Sequence, residues 1–241
     1  PFGGRNFEYY SEDTFLTSEM AYNASRGFKN TGRYVYLKHF VLNDMEVGRM
    51  FMYTWCSEQT LRETYLKAFE KSIKTGTANG IMTTYGRIGG CYTGGSEALI
   101  AGVVRTEWQF NGAIISDFSN DNRFMNVDHG IRGGSDLGMG CKLNNASTPF
   151  TLEYSSSSSN RLQYRLREVA HHVTWSWLNS MYAQSIYDPS KDGTSVVLST
   201  KTIEPWMWWR AVIVDLDVLV GFGCLFWTYW LFRKKLMKEE K

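Results

Sequence analysis

Three short apolar runs, at 34–40, 80–85 and 112–117, alternate with stretches of helical periodicity, and this alternation predicts an α/β fold around a parallel sheet. The third run, Gly112-Ala113-Ile114-Ile115-Ser116-Asp117, is small and β-branched until it meets a lone carboxylate. Such a run reads as a strand buried on both faces. An acidic residue at the C-terminal lip of that strand is where a (β/α) barrel keeps its chemistry. A helix cap or a salt bridge is the plainer role for Asp117.

Residues 1–16 are rich in charges and aromatics and predict a loop. Arg5 offers a fork of donors suited to vicinal hydroxyls or a carboxylate, and Glu8, Glu12 and Asp13 are its simplest partners. A helix is predicted over 17–27, then the first strand, ending at Lys38 and His39. Adjacent strand residues point to opposite faces, so these two reach one site only if the strand ends or bulges there. A polar loop over 41–55 follows. Ser57 is placed to cap a helix reaching Lys74, whose apolar face is Leu61, Tyr65, Ala68, Phe69 and Ile73. The strand at 80–85 opens into a loop with Gly86, Gly89, Gly90, Gly94 and Gly95, where the backbone must turn sharply. A helix is predicted over 96–107, a turn over 128–140, an exposed loop with five serines over 148–160, and a closing amphipathic helix over 162–179.

Lys+Arg 26 against Asp+Glu 24 leaves a net charge of +2, which argues against a nucleic-acid partner. Much of the 15% aromatic content lies in polar, Gly-rich segments, as carbohydrate sites often require. Cys56, Cys91, Cys141 and Cys224 are widely spaced with no C-x-x-C, which indicates neither structural zinc nor a disulfide framework. No cofactor and no metal is expected.

Residues 181–204 lose periodicity and read as a linker. Residues 211–232 contain no Lys, Arg or His, enough to cross a bilayer's ~30 Å core. Trp206, Trp208 and Trp209 precede this segment, and Trp227, Tyr229 and Trp230 close it, as two aromatic belts do. The basic tail at 233–241 carries Arg233, Lys234, Lys235 and Lys238, which places the C-terminus in the cytoplasm and the large N-terminal part outside. Asp215 and Asp217 oppose this span, since a carboxylate at mid-helix costs about 2.5–3.5 kcal/mol, but both fall in its first two turns. An interfacial helix is the alternative.

Six stretches together resemble glycoside hydrolase family 3: GGRNFEYYSED at 3–13, YLKHFVLND at 36–44 with Arg49 after it, GIMTTYGRIGG at 80–90, TGGSEALIAGVVRTEW at 93–108, GAIISDF at 112–118 and IRGGSDLGMG at 131–140. The resemblance implies a partial (β/α)8 TIM-type barrel with residues 1–180 as its C-terminal half; after it come the linker at 181–204, one transmembrane helix within 205–232 and the basic tail at 233–241, read from the residues themselves. It implies Asp117 as catalytic nucleophile, Arg5, Lys38, His39 and Arg49 as a sugar clamp, and Tyr85 as a further site-lining residue.

The implied activity is retaining hydrolysis of β-glycosides of the β-glucosidase kind, acting on terminal β-linked glucose or related sugars of plant-type oligosaccharides. The enzyme would sit at the cell surface. Retaining chemistry needs a second carboxyl about 5–5.5 Å from the nucleophile. Glu46, Glu97 and Glu107 are present, and their spacing selects none. In the glucosidase-like branch that acid/base comes from a sandwich domain of the same chain, absent from these residues together with the first barrel strands. Members with the sandwich first and the barrel last would end as this chain does.

The family usually has Pro at Thr14, Asn at Gly86 and Gly at Gln109. The segment after Phe40 lacks the Pro-Gly and His of the hexosaminidase branch. The rival reading is a non-catalytic, membrane-anchored carbohydrate-binding protein with a degenerate barrel; retention of Asp117, Lys38 and His39 argues against it.

Overall fold

The computed structural model describes residues 3–118, 125–139, 160–181, 183, 227 and 229–230. The chain divides into two units, 1–194 and 195–241. In the second unit Trp227, Tyr229 and Trp230 are described, and all three are helical. Among the described residues no helix is long and apolar enough to cross a membrane. The span expected at 211–232 lies outside them apart from these three aromatics, as do the basic tail, most of the serine loop and the expected linker except Met181 and Ala183, which are helical.

The first unit opens with a 3-10 turn, Asn6–Glu8, and helix α1, Thr14–Asn30. Asp13 caps α1 by accepting from Leu16 N at 2.6 Å, so the helix begins earlier than its apolar spacing suggests. Strand β1 is Tyr36–Phe40 and the short strand β2 is Tyr53–Thr54. The next helix has three parts: α2 at Glu58–Thr60, a π-wound stretch at Leu61–Leu66, and α3 at Lys67–Lys74. Ser57 accepts from Thr60 N at 3.1 Å, the cap expected from its position.

Strand β3 is Gly80–Thr83. The glycine loop after it is partly ordered as a hairpin, β4 at Arg87–Ile88 and β5 at Cys91–Tyr92, which joins β2 in a small second sheet. A π-wound helix, Ala98–Glu107, leads to β6, Ala113–Phe118. The predicted turn at 128–140 is instead helix α4, Val127–Gly133, and strand β7, Leu137–Met139. The closing helix α5 runs Asn160–Leu178.

The main sheet has the order β1-β3-β6-β7, and every pairing is parallel. Each strand therefore pairs with the next after a helical crossover, the succession from which (β/α) barrels are built. The core lies between the sheet and its helices. Phe40, Leu66, Ile81, Ile100, Val104 and Ile114 are buried there, and Phe40 meets Phe69 edge-on at 5.1 Å. Val41 and Leu42 join this core, so the segment after β1 is not wholly the polar loop its composition suggests.

Two glycine motifs far apart in sequence lock together. A Cβ on Gly133 would sit 2.5 Å from the Gly95 backbone, a contact no side chain tolerates. Ser135 Oγ donates to Gly94 O at 2.6 Å. Asp136 then accepts from Ile114 N at 2.7 Å and from the Arg105 guanidinium, and it meets His172 Nδ1 at 2.8 Å. One buried carboxylate thus ties β6, the π-wound helix and α5 into one body.

Candidate active site

The two strand ends that carry the predicted site residues share one irregularity. Leu37 pairs with Ile81 and Phe40 with Thr83, so β1 spends three residue steps where β3 spends two. Ile115 pairs with Leu137 and Phe118 with Met139, so β6 does the same against β7. Each extra residue is a bulge, one across Lys38 and His39 and the other across Ser116 and Asp117. Strict alternation fails there, and Lys38 and His39 meet different partners on the same side of the molecule.

Asp117 is 7% exposed. Its Oδ1 accepts from Phe118 N at 2.8 Å, and Oδ2 lies 3.6 Å from His39 Nε2. On its other side the imidazole meets Tyr9 Oη through Nδ1 at 2.9 Å. Burial pushes the His39 pKa down to about 4, further than the Asp117 charge raises it, so the ring is neutral at physiological pH.

The cations around this pair are held by carboxylates. Glu8 accepts from Arg5 Nε at 2.6 Å and Nη2 at 2.7 Å, and it ion-pairs with Lys38. These donors hold the Glu8 pKa down at about 2. Glu46 receives Arg49 at 3.0 Å and stands 3.7 Å from Arg5. The Arg49 guanidinium lies over the Tyr85 ring, 4.3 Å from its centroid. Tyr85 is buried with Tyr92, Met125 and Met50.

A cleft of about 560 Å³ is lined by Arg5, Glu8, Tyr9, Lys38, His39 and Asn43, among others. That volume suits a small ligand. Asp117 is outside this lining, beside the His39 ring. Of the carboxyls weighed as acid/base, Glu97 pairs with Arg161 and Arg165, and Glu107 pairs with Arg62. Glu46 alone shares the Arg5 and Arg49 cluster. Among the described residues no group of three metal-ligating side chains comes together.

Sequence reasoning brought Arg5, Lys38, His39, Arg49, Tyr85 and Asp117 forward but passed over Glu8, Tyr9, Asn43 and Thr84 as site residues. Glu8 had a signal, since three positions after Arg5 on one helical turn is contact distance. Asn43 and Thr84 had none; they meet because β1 and β3 are neighbours.

A parallel α/β sheet with a carboxylate at a strand's C-terminal lip, beside a neutral imidazole and carboxylate-held cations, is the arrangement of a (β/α)-barrel protein with its candidate site at the strand ends. Residues 1–132 match the model of the glycosyl hydrolase family 3 N terminal domain. The chain belongs to glycosyl hydrolase family 3.

A beta-glucosidase of Ruminococcus albus is 42% identical over 118 residues, covering 49% of this chain and 12% of that protein. An exo-alpha-(1->6)-L-arabinopyranosidase of Bifidobacterium longum is 38% identical over 122 residues, covering 51% and 16%. Beta-glucosidase 3B from Thermotoga neapolitana, solved in complex with alpha-D-glucose, superposes with a TM-score of 0.67 at 32% identity. That match covers 77% of this chain and 26% of the solved one. The chain thus spans only a small part of the length of the proteins it resembles.

Proposed function

We propose that this chain supplies the nucleophile and sugar-holding side chains of a retaining β-glycosidase of the β-glucosidase kind. Its substrates would be terminal β-linked glucose or a related sugar of plant-type oligosaccharides. The observation that carries this reading is Asp117 at the lip of β6. Its Oδ1 is steadied by the Phe118 amide, and its Oδ2 faces His39 Nε2 at 3.6 Å. The beta-glucosidases among the relatives support the β-glycosidase class. The arabinopyranosidase among them keeps the choice of sugar a matter for assay.

In this reading the Asp117 carboxylate attacks the anomeric carbon as the glycosidic C–O bond breaks, forming a glycosyl ester. The leaving oxygen takes a proton from a second carboxyl, which then removes a proton from the water that releases the sugar. As the family resemblance implies, that second carboxyl would come from a sandwich domain of the same chain. Arg5 and Lys38, held by Glu8, and His39, neutral and buried, present donors to ring hydroxyls. Hydrogen bonds that tighten as the oxocarbenium-like transition state forms lower the barrier.

We further place the enzyme at the cell surface, anchored through 211–232 with 233–241 in the cytoplasm, on the length of that apolar run, its flanking Trp residues and the basic residues beyond it.

The test is hydrolysis of aryl β-glucosides and β-xylosides by the full-length protein and by Asp117→Asn. Turnover should fall by about 10³-fold or more in the variant while sugar binding persists. Azide should partly restore Asp117→Gly and yield an α-glycosyl azide. Near-parental turnover by Asp117→Asn would overturn the assignment.

A further inference from the structure

A hydrogen-bond chain that starts at a backbone amide ends at His39. Gly86 N donates to Thr84 Oγ1 at 3.2 Å. The Thr84 hydroxyl gives its proton to Asn43 Oδ1, 2.7 Å away. That contact sets the amide's orientation, and Asn43 Nδ2 donates to Tyr9 Oη at 2.9 Å. Tyr9, having accepted there, donates to His39 Nδ1 at 2.9 Å. A neutral imidazole that accepts at Nδ1 carries its proton on Nε2. Nε2 is the atom 3.6 Å from Asp117 Oδ2. The opposite tautomer is disfavoured at both ends: Tyr9 would have to accept from Asn43 and His39 together, and the Nε2 lone pair would face a carboxylate oxygen.

We propose that Thr84, Asn43 and Tyr9 are positioning residues that lock His39 as the Nε2–H tautomer, a one-way donor toward Asp117 and the sugar hydroxyl beside it. Thr84 is fully buried and His39 is 4% exposed, so the two ends of the chain are shielded from water, while Tyr9 between them is 38% exposed. The low His39 pKa leaves the ring uncharged at physiological pH, where the tautomer is the only remaining choice. The catalytic consequence rests on the reading of Asp117 as nucleophile; the tautomer does not.

The experiment is 15N NMR of the full-length protein labelled at histidine, with the His39 signals identified by their loss in His39→Gln. The parent should show a protonated Nε2 and an unprotonated Nδ1. Asn43→Asp replaces the amide donor with a second acceptor. It draws the Tyr9 proton to itself, so the His39 proton should move to Nδ1. Tyr9→Phe removes the last link and should leave both tautomers populated. Thr84→Ser keeps the hydroxyl and should leave the parental spectrum unchanged. A parent protonated at Nδ1, or an Asn43→Asp spectrum identical to the parent's, overturns the proposal. With a β-glycoside substrate, Tyr9→Phe should lower kcat/KM about five- to tenfold, mainly through kcat. If parent and variants hydrolyse no glycoside, the glycosidase reading fails while the NMR still decides the tautomer.

Discussion

The Glu8 carboxylate receives the Arg5 guanidinium through two parallel bonds, Nε at 2.6 Å and Nη2 at 2.7 Å, and this fork also draws in Lys38. One anion thereby fixes two cations that would otherwise repel each other beside the candidate nucleophile.

Replacing Glu8 with Gln keeps its shape and removes its charge. We expect Glu8→Gln to raise KM for a β-glycoside about three- to tenfold with a smaller change in kcat, as an orienting contact does. The folded pKa of about 2 lies below the ordinary 4.5, so the clamp is at full strength above about pH 4.5 and is lost as pH falls through about 2. Initial rates across substrate concentration at neutral pH are the check. An unchanged KM would show that the two cations do not hold substrate.

Asp136 is the buried anion of a structural cluster rather than of the site. Removing it in Asp136→Ala strands the Arg105 guanidinium and the Ile114 amide without their partner. Breaking such a buried pair costs about 3–5 kcal/mol. Asp136→Asn can still accept from Ile114 N and should lose less. Denaturant unfolding monitored by circular dichroism distinguishes these outcomes; equal midpoints for Asp136→Ala and the parent would refute the anchoring role.

Gln109 holds a φ of 54° at the end of the π-wound helix, a left-handed conformation that favours glycine. Glycine is the residue the family usually has there, and its backbone reaches this region at no steric cost. Gln109→Gly should therefore stabilise the fold by about 0.5–1 kcal/mol, seen as a higher unfolding midpoint. A lower midpoint would mean that the glutamine side chain contributes more than its backbone costs.

Deleting 205–241 from the full-length protein should release it from the membrane fraction. Protease added to intact cells should degrade the N-terminal unit and spare an epitope placed at Lys241. An epitope cleaved from outside reverses the proposed topology, and a deletion variant that still sediments with membranes removes the anchor from this segment.

The alternation of apolar runs with helical stretches made the parallel α/β sheet legible in the sequence, because strand and helix impose different periods on the same apolar residues. The Ser57 cap and the apolar face after it were legible for the same local reason. The strand at Leu137–Met139 was not, since three residues with a central glycine carry no period. Nor was the Arg87–Tyr92 hairpin, hidden among glycines that announced a turn but not what it joined. Asp117, Lys38 and His39 could be singled out by type and by motif. Sequence alternation argued against Lys38 and His39 sharing a site.

What the sequence determined by itself is therefore the fold class, the family resemblance and which side chains to put forward for the chemistry. Only the tertiary structure decided their arrangement. One extra residue in β1 and one in β6 re-aim the side chains at both strand ends, and such bulges exist only as a mismatch between partners in register. The Thr84–Asn43–Tyr9–His39 chain, which starts from Gly86 N, likewise joins groups that only the fold brings together. A hydrogen bond between residues distant in sequence has no local propensity to betray it. It forms because the fold brings these groups within reach of one another.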